Sequence, residues 1–306
     1  MHIRKNREYQ MNIDFNNFKK IAPNSTDPIL KFTGKELVHA IATCGVINPL
    51  NEIDLEFKYK KYALECQFKE KKGELFLSDK YDYMDPSEKK CLSYYRGMFF
   101  GRLIAYKRFD LNVFIHLSTC ENRLKMILTR IPIKKGDPEP MDPDIIAWNK
   151  KDEYYVWECK GYKNGLKNGK IQANKITRVN GNNVKGNIVS AIYANSKRKI
   201  FATVNDPDDK GIEIQLDINK ALHFYYSPIV SLIQNNPTNN SNNIMQFGKI
   251  KMDKEEYTFG VPKDIFECVL NNEKNNNGTL KDIVKKHNLQ YFAERENMFG
   301  DFIYIN

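Results

Sequence analysis

The stretch MDPDIIAWNKKDEYYVWECKG, residues 141–161, decides how this chain is read. Two runs of apolar, β-favouring residues, DIIAW and YYVWECK, are joined by the polar loop NKKDE, which is the pattern of a β-hairpin. With Trp148 paired to Tyr154, successive pairs run outward until Asp144 stands opposite Glu158. Side chains alternate along a strand, so Lys160 shares the face of Glu158. A carboxylate buried without a partner costs several kcal/mol. Two of them with Cβ atoms about 5 Å apart also repel each other. Either local backbone groups and Lys160 satisfy the pair, as for a strand-edge acid and a cross-strand salt bridge, or a cation sits between them.

An oxygen-rich pair with room for waters and phosphate suits Mg²⁺ or Mn²⁺. Such an ion lowers the pKa of bound water and neutralises charge developing on a phosphoryl group, and a neighbouring lysine positions the water or helps deprotonate it. That inventory is what phosphodiester hydrolysis requires. Pro143-Asp144, thirteen intervening residues and then Glu158-Cys159-Lys160 resemble the PD-(D/E)xK nuclease superfamily, which includes restriction endonucleases, repair nucleases and phage-defence effectors. The resemblance covers this motif and an α-β-β-β-α-β order over about residues 86–204.

It implies an α/β fold with a restriction-endonuclease-like core, a central mixed sheet flanked by helices, and N-terminal and C-terminal additions. It implies a metal-dependent DNA endonuclease, acting in restriction or phage defence. Asp144 and Glu158 would then hold the metal, with the Cys159 carbonyl as a further ligand. Lys160 would serve the attacking water. Gln172, in GKIQANKI, matches a glutamine that some members carry on the helix after the lysine. Some members also supply an acid from the first helix, where Glu88 is the one acidic candidate and stands at its very start. Two rival readings keep the same residues: a non-catalytic DNA-binding or adaptor protein, and a nuclease directed at RNA.

The charge distribution favours a polyanionic partner. The chain of 306 residues carries a formal charge of +10, and residues 159–205 hold ten basic residues and no Asp or Glu. Lys163, Lys170, Lys175 and Arg178 are candidates for holding a DNA backbone, a contact that is salt-dependent and indifferent to sequence. No recognition helix or zinc finger is visible. The [D/E]-x-K pattern alone discriminates poorly, since Glu56, Glu70, Glu88 and Asp208 also begin such triplets. Only the 144–160 combination places both halves of the motif on adjacent expected strands.

A hydrophobic fraction of 41% and 12% aromatic residues indicate a globular chain with a substantial core. The longest stretch free of charge, Ala221–Gly248, is broken by Ser227-Pro228 and loses its apolar character near Ile233, so no membrane span is expected. No secretory signal form follows the basic N-terminal residues, and the expected address is cytoplasmic. Six cysteines include no C-x-x-C pair, which argues for reduced, mostly core, thiols rather than zinc ligands.

The domain reading is an N-terminal extension (1–80), the nuclease core (81–234), a polar linker (235–246) around QNNPTNNSNN, and a small accessory region (247–306). A helix is expected over 35–44 and another over 86–107, the latter opened by Asp85-Pro86-Ser87-Glu88. Gly97 and Gly101 on it predict close packing against a sheet. Residues 53–77 alternate apolar and polar in two places and are read as a strand meander, with a helix as the alternative. Strands are expected at 113–117, 187–193, 199–204 and 212–216, with a turn at Asp206-Pro207-Asp208. Asp217 caps a helix, aromatic on one side, that is a candidate face for a protein partner or a second copy of the chain. A capping box at Thr279 and Asp282 opens a last short helix, and a final strand is expected near 302–305.

Overall fold

The protein is described by a computed structural model covering residues 1–18, 21–44, 52–117, 128–131, 143–206, 212–239, 244–252, 254–271, 279–289 and 297–306. The first elements are β1 (Glu8–Asn16), β2 (Ile29–Thr33), α1 (Gly34–Thr43), α2 (Ile53–Glu65), β3 (Phe68–Lys71), β4 (Glu74–Leu77) and α3 (Pro86–Phe109). Next come β5 (Val113–His116), β6 (Leu128–Ile131), β7 (Ile145–Trp148), β8 (Tyr154–Lys160), α4 (Leu166–Ala173), β9 (Ile176–Val179) and β10 (Asn182–Asn183). Then follow β11 (Gly186–Ala194), β12 (Ile200–Asn205), β13 (Ile212–Leu216) and α5 (Ile218–Asn235). The chain closes with β14 (Met245–Met252), β15 (Glu255–Pro262), α6 (Lys263–Asn271), α7 (Leu280–Leu289) and β16 (Tyr304–Ile305).

The hairpin forms in the expected register, with Trp148 opposite Tyr154 and Ile145 opposite Trp157. Both tryptophans are buried, as a core role requires. Around it grows a mixed sheet in the order β3-β4-β1-β12-β11-β8-β7-β5, with β2 added beside β1. β5 pairs antiparallel with β7 and β7 with β8, whereas β8 pairs with β11 in parallel through the α4 crossover. β10-β9-β13-β6 and β14-β15-β16 make two smaller sheets. The fold is α/β, with helices flanking a mixed, curled central sheet.

Two helices cover opposite faces of β8. Asp85 and Glu88 cap α3 reciprocally, which fixes where it begins. A Cβ at Gly101 would lie 2.5 Å from Cys159 Sγ, and one at Gly97 would lie 2.8 Å from the Lys160 carbonyl carbon, so these glycines set α3 directly on the strand. A Cβ at Gly169 of α4 would instead meet Val189 at 2.5 Å and Glu158 Cγ at 3.4 Å. Cys159 and Glu158 alternate, so α4 lies on the face that carries Glu158 and Lys160. At the end of β8, a Cβ at Gly161 would sit 1.9 Å from the Ser93 carbonyl oxygen, while Arg96 donates to the Gly161 carbonyl at 2.6 Å. Backbone cannot yield there as a side chain would. Gly161→Ala is expected to lower stability by about 2–3 kcal/mol, measured by denaturant unfolding.

The meander reading of 53–77 is corrected. Residues 53–65 form α2, and only 68–71 and 74–77 are strands. Ile53, Phe57, Lys60, Lys61 and Leu64 are buried at helical spacing, while Leu55 and Tyr59, which made the alternation, are exposed. The other expected helices and strands appear within a few residues of their places, including the Thr279–Asp282 box.

Residues 1–80 supply β1–β4 to the central sheet, β1 lying directly on β12. Beyond α5, Asn236 donates to Asp54 at 2.8 Å and Thr238 N–H to Phe247 at 3.2 Å, and β14 and β15 pack on α5. The aromatic face of α5 is taken up by its own chain: Tyr225 and Tyr226 are buried in the core rather than presented to a partner. Cys44, Cys159 and Cys268 are buried, but Cys66 and Cys91 are exposed, which corrects the core reading for those two. Cys120, residues 240–243 of the polar run and positions 207–208 of the expected turn lie outside the described residues. No described helix is long and apolar enough to cross a membrane.

Candidate active site

Four of the residues singled out in the sequence meet at one end of the hairpin. The Asp144 amide donates to Glu158 Oε2 at 2.7 Å, and the Cys159 amide donates to Asp144 Oδ2 at 3.1 Å. Lys160 Nζ donates to Glu158 Oε1 and, at 2.8 Å, to Gln172 Oε1. Gln172 is carried there by α4. Asn187 of β11 ties down the end of that helix by donating to the carbonyls of Ala173 and, at 2.8 Å, Ile176. The contact from Cys159 is made by its amide, while its thiol faces α3.

Local structure therefore satisfies part of what the acids need, yet a charge imbalance remains. Glu158 is fully buried. Burial pushes its carboxyl up to about 8, Asp144 adds to the rise, and Lys160 opposes it. Burial alone would lower the Lys160 ammonium, but Glu158 and Asp144 outweigh it and hold its pKa above the ordinary value. Lys160 is therefore a cation at neutral pH. A divalent ion would relieve the Asp144–Glu158 repulsion by displacing the proton that Glu158 otherwise keeps.

A raised carboxyl pKa means that the folded state binds more protons than the unfolded chain between about 4.5 and about 8. This contribution weakens the fold as pH rises through that window. Glu158→Gln is accordingly expected to raise the melting temperature relative to the parent at pH 8 and to change it less at pH 5, measured by thermal melts in EDTA.

The donor set fits a hard cation that keeps part of its water shell. Among the described residues no cluster of three or more His, Cys, Asp or Glu side chains forms a metal cage. Two carboxylates with backbone, water and substrate oxygens make the kind of shell that Mg²⁺ accepts and a structural zinc does not. Glu88 contributes nothing at this place, since its carboxylate accepts from the Asp85 amide at 3.0 Å in the α3 cap.

His116 and Tyr94 went unnoticed in the sequence. His116 pairs with Ile145, next to Asp144, and its Nε2 lies 3.1 Å from Tyr94 Oη. Burial lowers the His116 pKa against the pull of Asp144, and burial raises the Tyr94 pKa with Asp144 contributing. VFIHL reads as a buried strand, and nothing in the sequence tells its histidine from a core residue.

The basic residues differ in what they touch. Arg178, on β9, shares Glu213 at 3.6 Å, and Lys163 lies over the Tyr193 ring. Lys185, Arg198 and Lys199 from the same acid-free segment pair with Glu153, Asp82 and Glu74. Acids distant in sequence thus neutralise part of the segment. Among the described residues, Lys163, Lys167, Lys170 and Lys175 have no carboxylate partner. Comparison of the chain with known protein families, with curated proteins and with solved structures found no match.

Proposed function

We propose that the chain is a metal-dependent DNA endonuclease built on a restriction-endonuclease-like core. The observation that carries this is the convergence of Asp144, Glu158, Lys160 and Gln172 on a carboxylate pair, Glu158 buried and Asp144 half-buried, that lacks sufficient positive charge. With β6, β9 and β10 set apart in a second sheet, the central-sheet order α3-β5-β7-β8-α4-β11, antiparallel through β8 and parallel from β8 to β11, supports it as the order expected of such a core. Mg²⁺ or Mn²⁺, held by Asp144 and Glu158 with the Cys159 carbonyl nearby, would activate water and offset charge on the phosphate. Lys160, being an ammonium held by Gln172, donates to the attacking water or to a phosphoryl oxygen; it is not the base. Lys163, Lys170 and Lys175 hold the backbone, with Arg178 shared between Glu213 and DNA. Action in restriction or phage defence rests on the resemblance alone, and the cytoplasmic address on the form of the N-terminal sequence.

The test is cleavage of supercoiled plasmid with Mg²⁺, Mn²⁺ or EDTA, with Glu158→Ala alongside. Metal-dependent nicking that the variant loses is the expected result. DNA binding without hydrolysis under any of these conditions would favour the adaptor reading, and selective cutting of RNA the ribonuclease reading. Affinity for duplex DNA measured in EDTA is expected to fall about 40-fold between 50 and 200 mM salt if the three lysines each contact a phosphate.

A further inference from the structure

Beyond the end of β8 lies a second feature that the carboxylate pair does not explain. An open trough of about 660 Å³ is lined by Tyr162, Lys163, Asn164, Tyr193, Asn195 and Phe201, among others. Tyr193 and Phe201 are paired across β11 and β12, with ring centroids 5.7 Å apart. Lys163 Nζ stands 5.7 Å from the Tyr193 ring centroid. Tyr162, at the mouth, is 55% exposed. A ring so exposed has been left unburied although the core lies close by.

The trough and the carboxylate pair are neighbours. Lys160 pairs with Ala191, and Tyr193 follows two residues on, so Tyr193 and Phe201 share the sheet face of Glu158 and Lys160. Two residues of strand span roughly 7 Å, about one extended nucleotide step. Gly165 links them directly: a Cβ there would be 3.0 Å from both the Lys160 stem and the Tyr162 ring.

Aromatic faces beside a lysine, with amide side chains at the rim, match one ligand chemistry above others. A nucleobase stacks on the rings, its edge meets Asn164 or Asn195, and its phosphate meets Lys163. The volume is in the range of small-ligand pockets and accommodates a nucleotide. A base within a duplex cannot reach such a face because its own neighbours cover it.

We infer that the trough receives an unpaired nucleotide of the strand that enters the Asp144–Glu158 site, so that the protein engages single-stranded nucleic acid or a frayed junction in preference to continuous duplex. This inference rests on the nuclease reading for its substrate, but its test does not need cleavage. Fluorescence anisotropy of the full chain in EDTA would compare a labelled single-stranded DNA 20-mer, its duplex and the RNA of the same sequence. The parent is expected to bind the single strand more tightly than the duplex. Tyr162→Ala is expected to weaken single-strand binding about tenfold and leave duplex binding unchanged, while Tyr162→Phe retains it. Lys163→Ala should reduce the salt slope for the single strand by about 0.7, one phosphate contact.

Equal binding of single strand and duplex, or no loss in Tyr162→Ala, would overturn the inference even if Glu158-dependent cleavage is found. Tyr162-dependent single-strand binding without cleavage would uphold the trough and count against the nuclease reading. The same dependence with tighter RNA binding would uphold the trough and assign RNA as the strand.

Discussion

Lys160→Met is expected to cut plasmid cleavage by a factor of about 10²–10³, the range for removing one preorganised hydrogen-bond donor to the transition state, while the chain stays folded. The geometry makes Lys160 hard to replace. Its ammonium lies between Glu158 Oε1 and Gln172 Oε1, and its stem runs under Gly165 and Gly169, where a Cβ on either glycine would approach within 3.0 and 3.3 Å respectively. An arginine keeps the charge but not the shape, since its planar fork needs room that those two glycines and α4 have closed. Lys160→Arg is therefore expected to fail nearly as badly as Lys160→Met. Gln172→Ala, which frees the ammonium without removing it, should retain more activity than either. Circular dichroism and initial cleavage rates at saturating Mg²⁺ check all three. Parent-like rates in both Lys160 variants would remove the lysine from the chemistry.

The second large effect concerns stability and lies far from the carboxylate pair. Asp301 is buried and receives Arg102 at 3.4 Å, His39 Nε2 at 2.7 Å and Tyr225 Oη. Burial alone would raise the Asp301 pKa, but His39 and Arg102 together hold it below the ordinary carboxylate value. An ionised carboxylate only accepts, so His39 donates from Nε2. Burial also keeps the His39 pKa below its ordinary 6.5. Through this one carboxylate, α1, α3, α5 and the C-terminal segment are joined.

Asp301→Ala would leave Arg102, itself buried, without its counter-charge. The expected loss is about 3–5 kcal/mol, measured by denaturant unfolding. The pH dependence follows from the same directions. Both groups bind fewer protons folded than unfolded, so stability is present at neutral pH and is lost as pH falls, first below about 6.5 through His39 and then through the carboxylate range. In Asp301→Ala the carboxylate part of that acid sensitivity should disappear.

The hairpin was legible because it is local. Five polar residues between two β-favouring runs fix the register, and the register alone puts Asp144 against Glu158. Gln172 was legible only through the resemblance; its place depends on Asn187 tying α4 down across the β8–β11 crossover, a tertiary contact without sequence signature. Residues 53–65 misled because Leu55 and Tyr59 lie exposed on a helix whose buried stripe includes two lysines, Lys60 and Lys61, which polarity patterns assign to solvent. The acid-free segment misled in part for a similar reason: its charges are answered by Glu74, Asp82 and Glu153, which no linear window brings near them. His116 and Tyr94 became visible only when β5 was laid beside β7.

The proposed nuclease stands or falls with a divalent-cation site at Asp144 and Glu158. Titration of the full chain with Mn²⁺, read as loss of the free-ion electron paramagnetic resonance signal at neutral pH, tests it without substrate. One ion per chain, release of about one proton on binding, and loss of that uptake in Glu158→Gln with the fold intact are expected. Equal uptake by parent and variant, or none by either, would contradict it.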